Sequence, residues 1–223
     1  MNKLKSTIYS LTALKLQTNL NRSPKAISNP ERKLETPARM LETLQGYFLI
    51  ATPQMPDHRF VGKVVYLCAH NDDGAMGLVV NEPIAEISLT DVFKSANIPL
   101  PQGQLPPLYL GGPVEVASAF FLYSSEYRAP HFLAVSKTVH LSSDPQLLYD
   151  LATGQGPKNL LVALGCSGWG PGQLEAELSM DGWLILPADD DIIFHTPDKL
   201  RWQKAAQRHG IDIALFGEVV GSA

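Results

Sequence analysis

The sequence predicts a mixed α+β fold. Apolar stretches of strand length, rich in Val, Ile, Leu and aromatics, outnumber the stretches that suit a helix. The helical stretches are short, and no internal repeat is visible. Strands and helices do not alternate as a doubly wound parallel sheet would require.

Taken in order, Tyr47–Thr52 reads as a strand stopped by Pro53. Gly62–Ala69 and Met76–Asn81 read as two strands around Asn71-Asp72-Asp73-Gly74, a loop with strong turn chemistry. Ser88 caps a helix over Leu89–Ala96, and a Pro-rich connector, Pro99–Pro107, follows. Leu108–Leu110 and Ala119–Tyr123 are expected as strands on either side of Gly111-Gly112-Pro113. Lys137–Leu141 alternates as a strand does. Asp144 can cap a helix through Thr153, ended by Gly154. Asn159–Leu164 is a continuous apolar run, expected as a central strand. Gln173–Ser179 suits a helix, with Asp181-Gly182 as its turn. Trp183–Leu186 and Ile192–Phe194 are expected as strands. Pro197 opens a last helix to Arg208, stopped by Gly210.

At 223 residues, with 45% apolar and 18% charged residues, the chain can bury a core without covalent staples. No apolar run approaches the ~20 residues needed to span a bilayer. Two cysteines, Cys68 and Cys166, do not make a disulfide framework, which favours a reducing, cytoplasmic setting. Residues 1–40 hold eight Lys/Arg against Glu31 and Glu35, a charge of +6. The whole chain is -4, so the remainder carries -10. A body of that sign argues against specific nucleic-acid binding by residues 43–223. The chain therefore divides into a basic extension, 1–42, and one domain, 43–223. Leu4, Ile8 and Leu11 fall at helical spacing beside Lys3, Lys5 and Lys15. The extension reads as a disordered segment, as a membrane- or partner-binding helix, as a targeting peptide, or as sequence ahead of a start at Met40. Its charge would support weak contact with anionic surfaces.

Chemistry concentrates at LGCSGWGPGQLE, Leu164 to Glu175, where an apolar run meets four glycines and then a helix. Such a shape often holds an anion. A phosphate-binding P-loop is excluded, because Gln173 and Leu174 follow the last glycine where Lys and Ser/Thr are required. The spacing of Gly168, Gly170 and Gly172 is one residue short of a dinucleotide fingerprint, although Asp189–Asp191 mimic its ribose acid. The candidate polar walls of a ligand site are Asn81, Gly112, Gly165, Ser167, Gly168, Gly170, Gly172, Gln173 and Glu175. The competing structural reading is a turn in which Trp169 packs onto the core. Cys166 and Ser167 stand where an elbow nucleophile would, but Trp169 breaks the G-x-S-x-G pattern and no catalytic set can be assigned. His70, Asp72 and Asp73 include metal-ligand types, yet adjacent acids in a hairpin turn usually serve solvation. No metal and no cofactor are expected. Glu175 and Glu177 favour a helix N-terminus and point to different faces. The basic helix Lys199–Arg208 reads as an amphipathic cover with its charges in water.

Several segments together resemble the AlgH/YqgE family of small bacterial proteins. They are GYFLIATPQMPDHRF from Gly46, HNDDGAMGLVVNEP from His70, LYLGGPVE from Leu108, LGCSGWGPGQLEAEL from Leu164, WLILPADDDIIF from Trp183 and KLRWQKAAQRHGID from Lys199. The similarity runs from about Thr43 to the C-terminus. It implies one α+β domain with a bent, bifurcated mixed sheet forming a pseudo-barrel. It supplies no catalytic residues, and some members are labelled as transcriptional regulators. This chain departs from the pattern at Cys166, where an aromatic, often Tyr, is usual, and in its long N-terminal extension. The leading expectation is a regulatory protein with a protein partner. A small-ligand (nucleotide or phosphate) protein or enzyme using the Gly165–Gly172 loop comes second, and a direct DNA binder last.

Overall fold

A computed structural model describes residues 43–213. The expectations for the extension, including its helix and the Met40 start, lie outside them. In chain order the elements are β1 (Tyr47–Ala51), a 3-10 turn (His58–Phe60), β2 (Val64–Asn71), β3 (Gly74–Val79), α1 (Leu89–Ser95), β4 (Leu108–Leu110), β5 (Val114–Ser124), β6 (Leu133–Ala134) and β7 (Val139–Ser142). There follow α2 (Gln146–Ala152), β8 (Leu160–Trp169), α3 (Gln173–Leu178), β9 (Trp183–Pro187), α4 (Asp190–Phe194) and α5 (Asp198–Gln207). The described residues cluster into two compact units. A middle unit is Pro83–Cys166, and a flanking unit combines residues 43–82 with 167–213.

The α+β class is as expected, and the sheet is mixed and branched. In the middle unit the order is β6-β7-β5-β8, antiparallel, while β4 pairs β8 in parallel. Residues 162–164 of β8 thus have β5 on one side and β4 on the other, which explains their unbroken apolar run. Ile87, Phe93, Phe121, Leu147 and Val162 form the core here. Helix α1 starts at a capping box in which Ser88 and Asp91 satisfy each other's backbone N–H. Asp144 Oδ1 accepts the Gln146 N–H at 2.9 Å just ahead of α2, whose N-cap is Pro145 rather than the expected Asp144.

In the flanking unit β9, β1, β2 and β3 form an antiparallel run, and the last three residues of β8 extend it by pairing with β3. β2 and β3 turn at Asp72-Asp73, as expected. Leu49, Val65, Leu67, Trp169, Leu174 and Trp183 form its core.

Three expectations need correction. The glycine motif is not a turn from Gly165 onward, because β8 continues through Trp169. Pairing of Cys166 with Val114 and of Ser167–Trp169 with β3 holds those residues extended, and the turn is confined to the residues that follow. Ile192–Phe194 belongs to helix α4 rather than a strand, because Asp189 Oδ1 accepts the Asp191 N–H at 2.9 Å and starts a helix. The strand expected at Ala119 begins at Val114, and β6 had no sequence signal beyond two residues.

Gly165 sits at the register shift of the β5–β8 ladder, with φ +71°, and a Cβ there would lie 2.6 Å from Gly112 O and 2.9 Å from Val114 O. Gly172 has nearly the same φ, +70°, but open space around it. Gly172→Ala should therefore cost about 1 kcal/mol, the left-handed penalty alone. Gly165→Ala should cost about 3 kcal/mol or more, because backbone must also shift. Urea denaturation of both variants checks the difference.

Candidate functional site

The turn after β8 is closed by side chains of α3. Gln173 Oε1 accepts the Gly170 N–H at 3.1 Å, and Gln173 Nε2 donates to Glu177 Oε1 at 2.9 Å. The other carboxylate oxygen, Glu177 Oε2, accepts two indole N–H groups, from Trp169 at 2.9 Å and Trp183 at 3.0 Å. The two rings meet edge to face, with centroids 6.2 Å apart. Each indole buries its apolar body in the core and still needs an acceptor for its N–H, and Glu177 supplies both.

One helical residue pair earlier, Glu175 takes a different partner. His70, at the end of β2, accepts the Leu44 N–H on Nδ1 at 3.0 Å. That bond assigns the ring proton to Nε2, which donates to Glu175 Oε1 at 2.8 Å. His70 is 9% exposed at its side chain and Glu175 is 55% exposed. The His70 bond holds the Glu175 carboxyl below its ordinary value. Any stability from this pair is present above the usual carboxylate range and is lost as pH falls through the lowered value. Glu175 and Glu177 do act separately, as their spacing implied.

The other candidate residues have structural employment. Asn81 Oδ1 accepts the Val64 N–H at 2.9 Å and its Nδ2 donates to Gly62 O at 2.8 Å, closing the start of β2. This is the opposite end of β2 from His70, so Asn81 does not join the turn. Ser167 and Gly168 lie within β8, opposite Gly77 and Met76, and Ser167 is buried. Gly112 and Gly165 are neighbours in the middle unit. Gly170, Gly172, Gln173 and Glu175 are the candidates that the structure does bring to one place.

Burial pushes the Cys166 thiol up to about 11, with the Glu115 charge adding to the effect. That is the opposite of what a nucleophile needs. Asp72 and Asp73 are exposed at the hairpin tip, and Asn71 Oδ1 holds the Asp73 N–H at 2.9 Å. Among the described residues no three His, Cys, Asp or Glu are grouped so as to hold a metal ion.

Helix α5 corrects another expectation. Arg201 is not in water but 4% exposed. It donates to Thr196 O at 2.9 Å and to Val80 O, and pairs with Asp198 at 3.2 Å. Arg208 binds Asp189 at 2.7 Å and Asp191 at 2.5 Å, which ties two of the three clustered acids to the helix. Sequence reasoning missed Arg201, Glu177 and the role of Trp183. The bonds that decide their roles run to other parts of the chain, from Glu177 to Trp169 of β8 and Trp183 of β9 and from Arg201 to Val80, and no local spacing marks them.

The mixed sheet and short helices place the chain among α+β proteins. A family model described as AlgH-like matches residues 48–214, and the chain belongs to that family. It is 41% identical over 181 residues to a UPF0301 protein of Desulfotalea psychrophila, covering 81% of this chain and 95% of that one. It is likewise 41% identical to a UPF0301 protein of Rhodospirillum rubrum, covering 81% and 94%. The solution structure of AlgH from Pseudomonas aeruginosa matches with a TM-score of 0.68 at 37% identity, covering 86% of this chain and all of that one. A crystal structure of a Corynebacterium diphtheriae protein shares the fold at TM-score 0.61 and 18% identity.

Removing Glu177 leaves two indole donors without an acceptor, so Glu177→Ala should cost about 2–4 kcal/mol. Glu175→Ala exposes the His70 N–H to water and should cost about 0.5 kcal/mol. Urea melts followed by tryptophan fluorescence separate the two. Both cysteines are buried, so they should react with a disulfide reagent at pH 8 only as fast as the protein opens, and at full rate in urea.

Proposed function

We propose that the chain is a non-enzymatic regulatory protein that works by binding another protein. What supports this reading is the glycine motif itself. The side chains that would address a ligand there, those of Gln173 and Glu175, are bonded to Gly170, Glu177 and His70. The motif thus acts as a structural clasp. Elsewhere the middle unit presents apolar surface. Val114 and Val116 are 44% and 41% exposed at the start of β5. β7 pairs only with residues 121–124 of that strand. Exposed valines on a stretch of β5 that β7 does not pair suit a protein contact, in which backbone hydrogen bonds and apolar burial add together.

The net -10 outside residues 1–40 weighs against a DNA-binding reading, as do the internal partners of Arg201 and Arg208. A photo-crosslinking amino acid at Val116 should yield a discrete protein adduct in cells, and one at exposed Leu200 should not. Val114→Ser with Val116→Ser should weaken recovery of the same partner tenfold or more. The proposal fails if Val116 yields no adduct while a nucleotide or sugar phosphate raises the Tm in a way that Gln173→Ala abolishes.

A further inference from the structure

The middle unit contains a histidine that its surroundings leave incompletely paired. His140 lies on β7, opposite Tyr123 of β5 on one side and Ala134 of β6 on the other. Its ring is stacked on Phe132, with centroids 4.4 Å apart and planes at 25°, and meets the Tyr123 ring edge-on at 5.8 Å. The residue is 7% exposed. Its Nδ1 has no hydrogen-bond partner, and neither has the Tyr123 hydroxyl. The arrangement suits a neutral imidazole with a bare lone pair at Nδ1. A protonated ring donates from both nitrogens, and here one of the two would face no acceptor.

We infer that His140 is a proton-sensitive latch: protonation of its ring releases the β6–β7 edge of the middle unit. The groups around it favour this direction. From β5, the Tyr123 ring stands at right angles to the imidazole. From the segment after β5, Arg128 repels a cation, while Glu126 and the Tyr127 backbone favour one. The Glu126 carboxylate is already bonded to the Ser124 hydroxyl at 2.8 Å and the Lys158 N–H at 2.7 Å. The Tyr127 hydroxyl donates to Asp150 of α2. His131 turns its ring to Asp144 at 2.9 Å rather than to His140. Burial is the largest effect, followed by Arg128, and together they hold the imidazole below its ordinary value of 6.5.

The latch holds little structure. β6 has two residues and pairs only through Leu133↔Leu141 and Ala134↔His140. Above the ordinary histidine range both the closed and the open edge are neutral, so no stability is lost. As pH falls below about 6.5, the open form binds a proton that the closed form refuses, and the balance shifts toward opening until the lowered value is passed. Opening would expose Phe132 and Leu133, which are partly covered in the closed form.

The test uses the full chain. Histidine ring resonances and amide hydrogen exchange are followed by NMR from pH 8 to pH 5, with exchange corrected for its intrinsic pH dependence. The expected result is that the His140 ring titrates below the ordinary range. The opening constant for the Val139–Ser142 amides should rise about tenfold between pH 7 and pH 5, while that of the β2 amides stays level. In His140→Phe, which keeps the stacking and cannot be protonated, the rise should vanish. An ordinary titration without opening, or the same rise in His140→Phe, would overturn the inference. If His140→Phe does not fold, the wild-type pair of measurements still decides it.

Discussion

The structure depends on the backbone of β8 being satisfied along its whole length. Ten residues of this strand are nearly all buried, and a buried N–H or C=O without a partner costs about as much as a lost hydrogen bond. No single neighbour stays paired along its whole length. β5 and β4 serve its first part and β3 its last three residues. The β5 ladder shifts register between Leu164 and Cys166, and Gly165 there takes a backbone conformation that favours glycine. The branched sheet follows from this division of one ladder among three strands.

The turn that ends β8 shows how a motif that looks chemical can be mechanical. Its glycines let the chain reverse into α3, which brings Gln173, Glu175 and Glu177 back over the strand ends. Glu177 then holds two indoles whose bodies belong to the core and whose N–H groups do not. Charge-assisted bonds of this kind are about twice as strong as neutral ones, and their loss strands two donors. The same economy appears at Arg201, where one guanidinium closes the carbonyls of Val80 and Thr196.

Two histidines illustrate opposite solutions to burial. His70 has both nitrogens engaged, one by a backbone N–H and the other by a carboxylate at the surface. His140 is set between two rings with one nitrogen unpaired, on a strand whose outer neighbour is two residues long. The first arrangement is locked to one tautomer. The second leaves an unpaired nitrogen next to the shortest strand of the sheet.

Much of the architecture was legible in the sequence, because it is written in local chemistry. The Asn-Asp-Asp-Gly hairpin, the Ser88 cap, the Pro at the start of α5 and the continuous apolar run of β8 each act within a few residues. The errors fell where tertiary pairing overrides local preference. Cys166 to Trp169 stays extended only because β5 and β3 bond to it, and Ile192–Phe194 turns helical because Asp189 caps it. Of the candidate site, the sequence alone determined that the glycine motif lacks a phosphate loop's lysine and that Glu175 and Glu177 serve different faces. Only the fold decided that Glu177 meets two tryptophans, that His70 meets Glu175 across 105 residues, and that Arg201 is buried. Those contacts join residues far apart in the chain, and their energies depend on burial that no local pattern records.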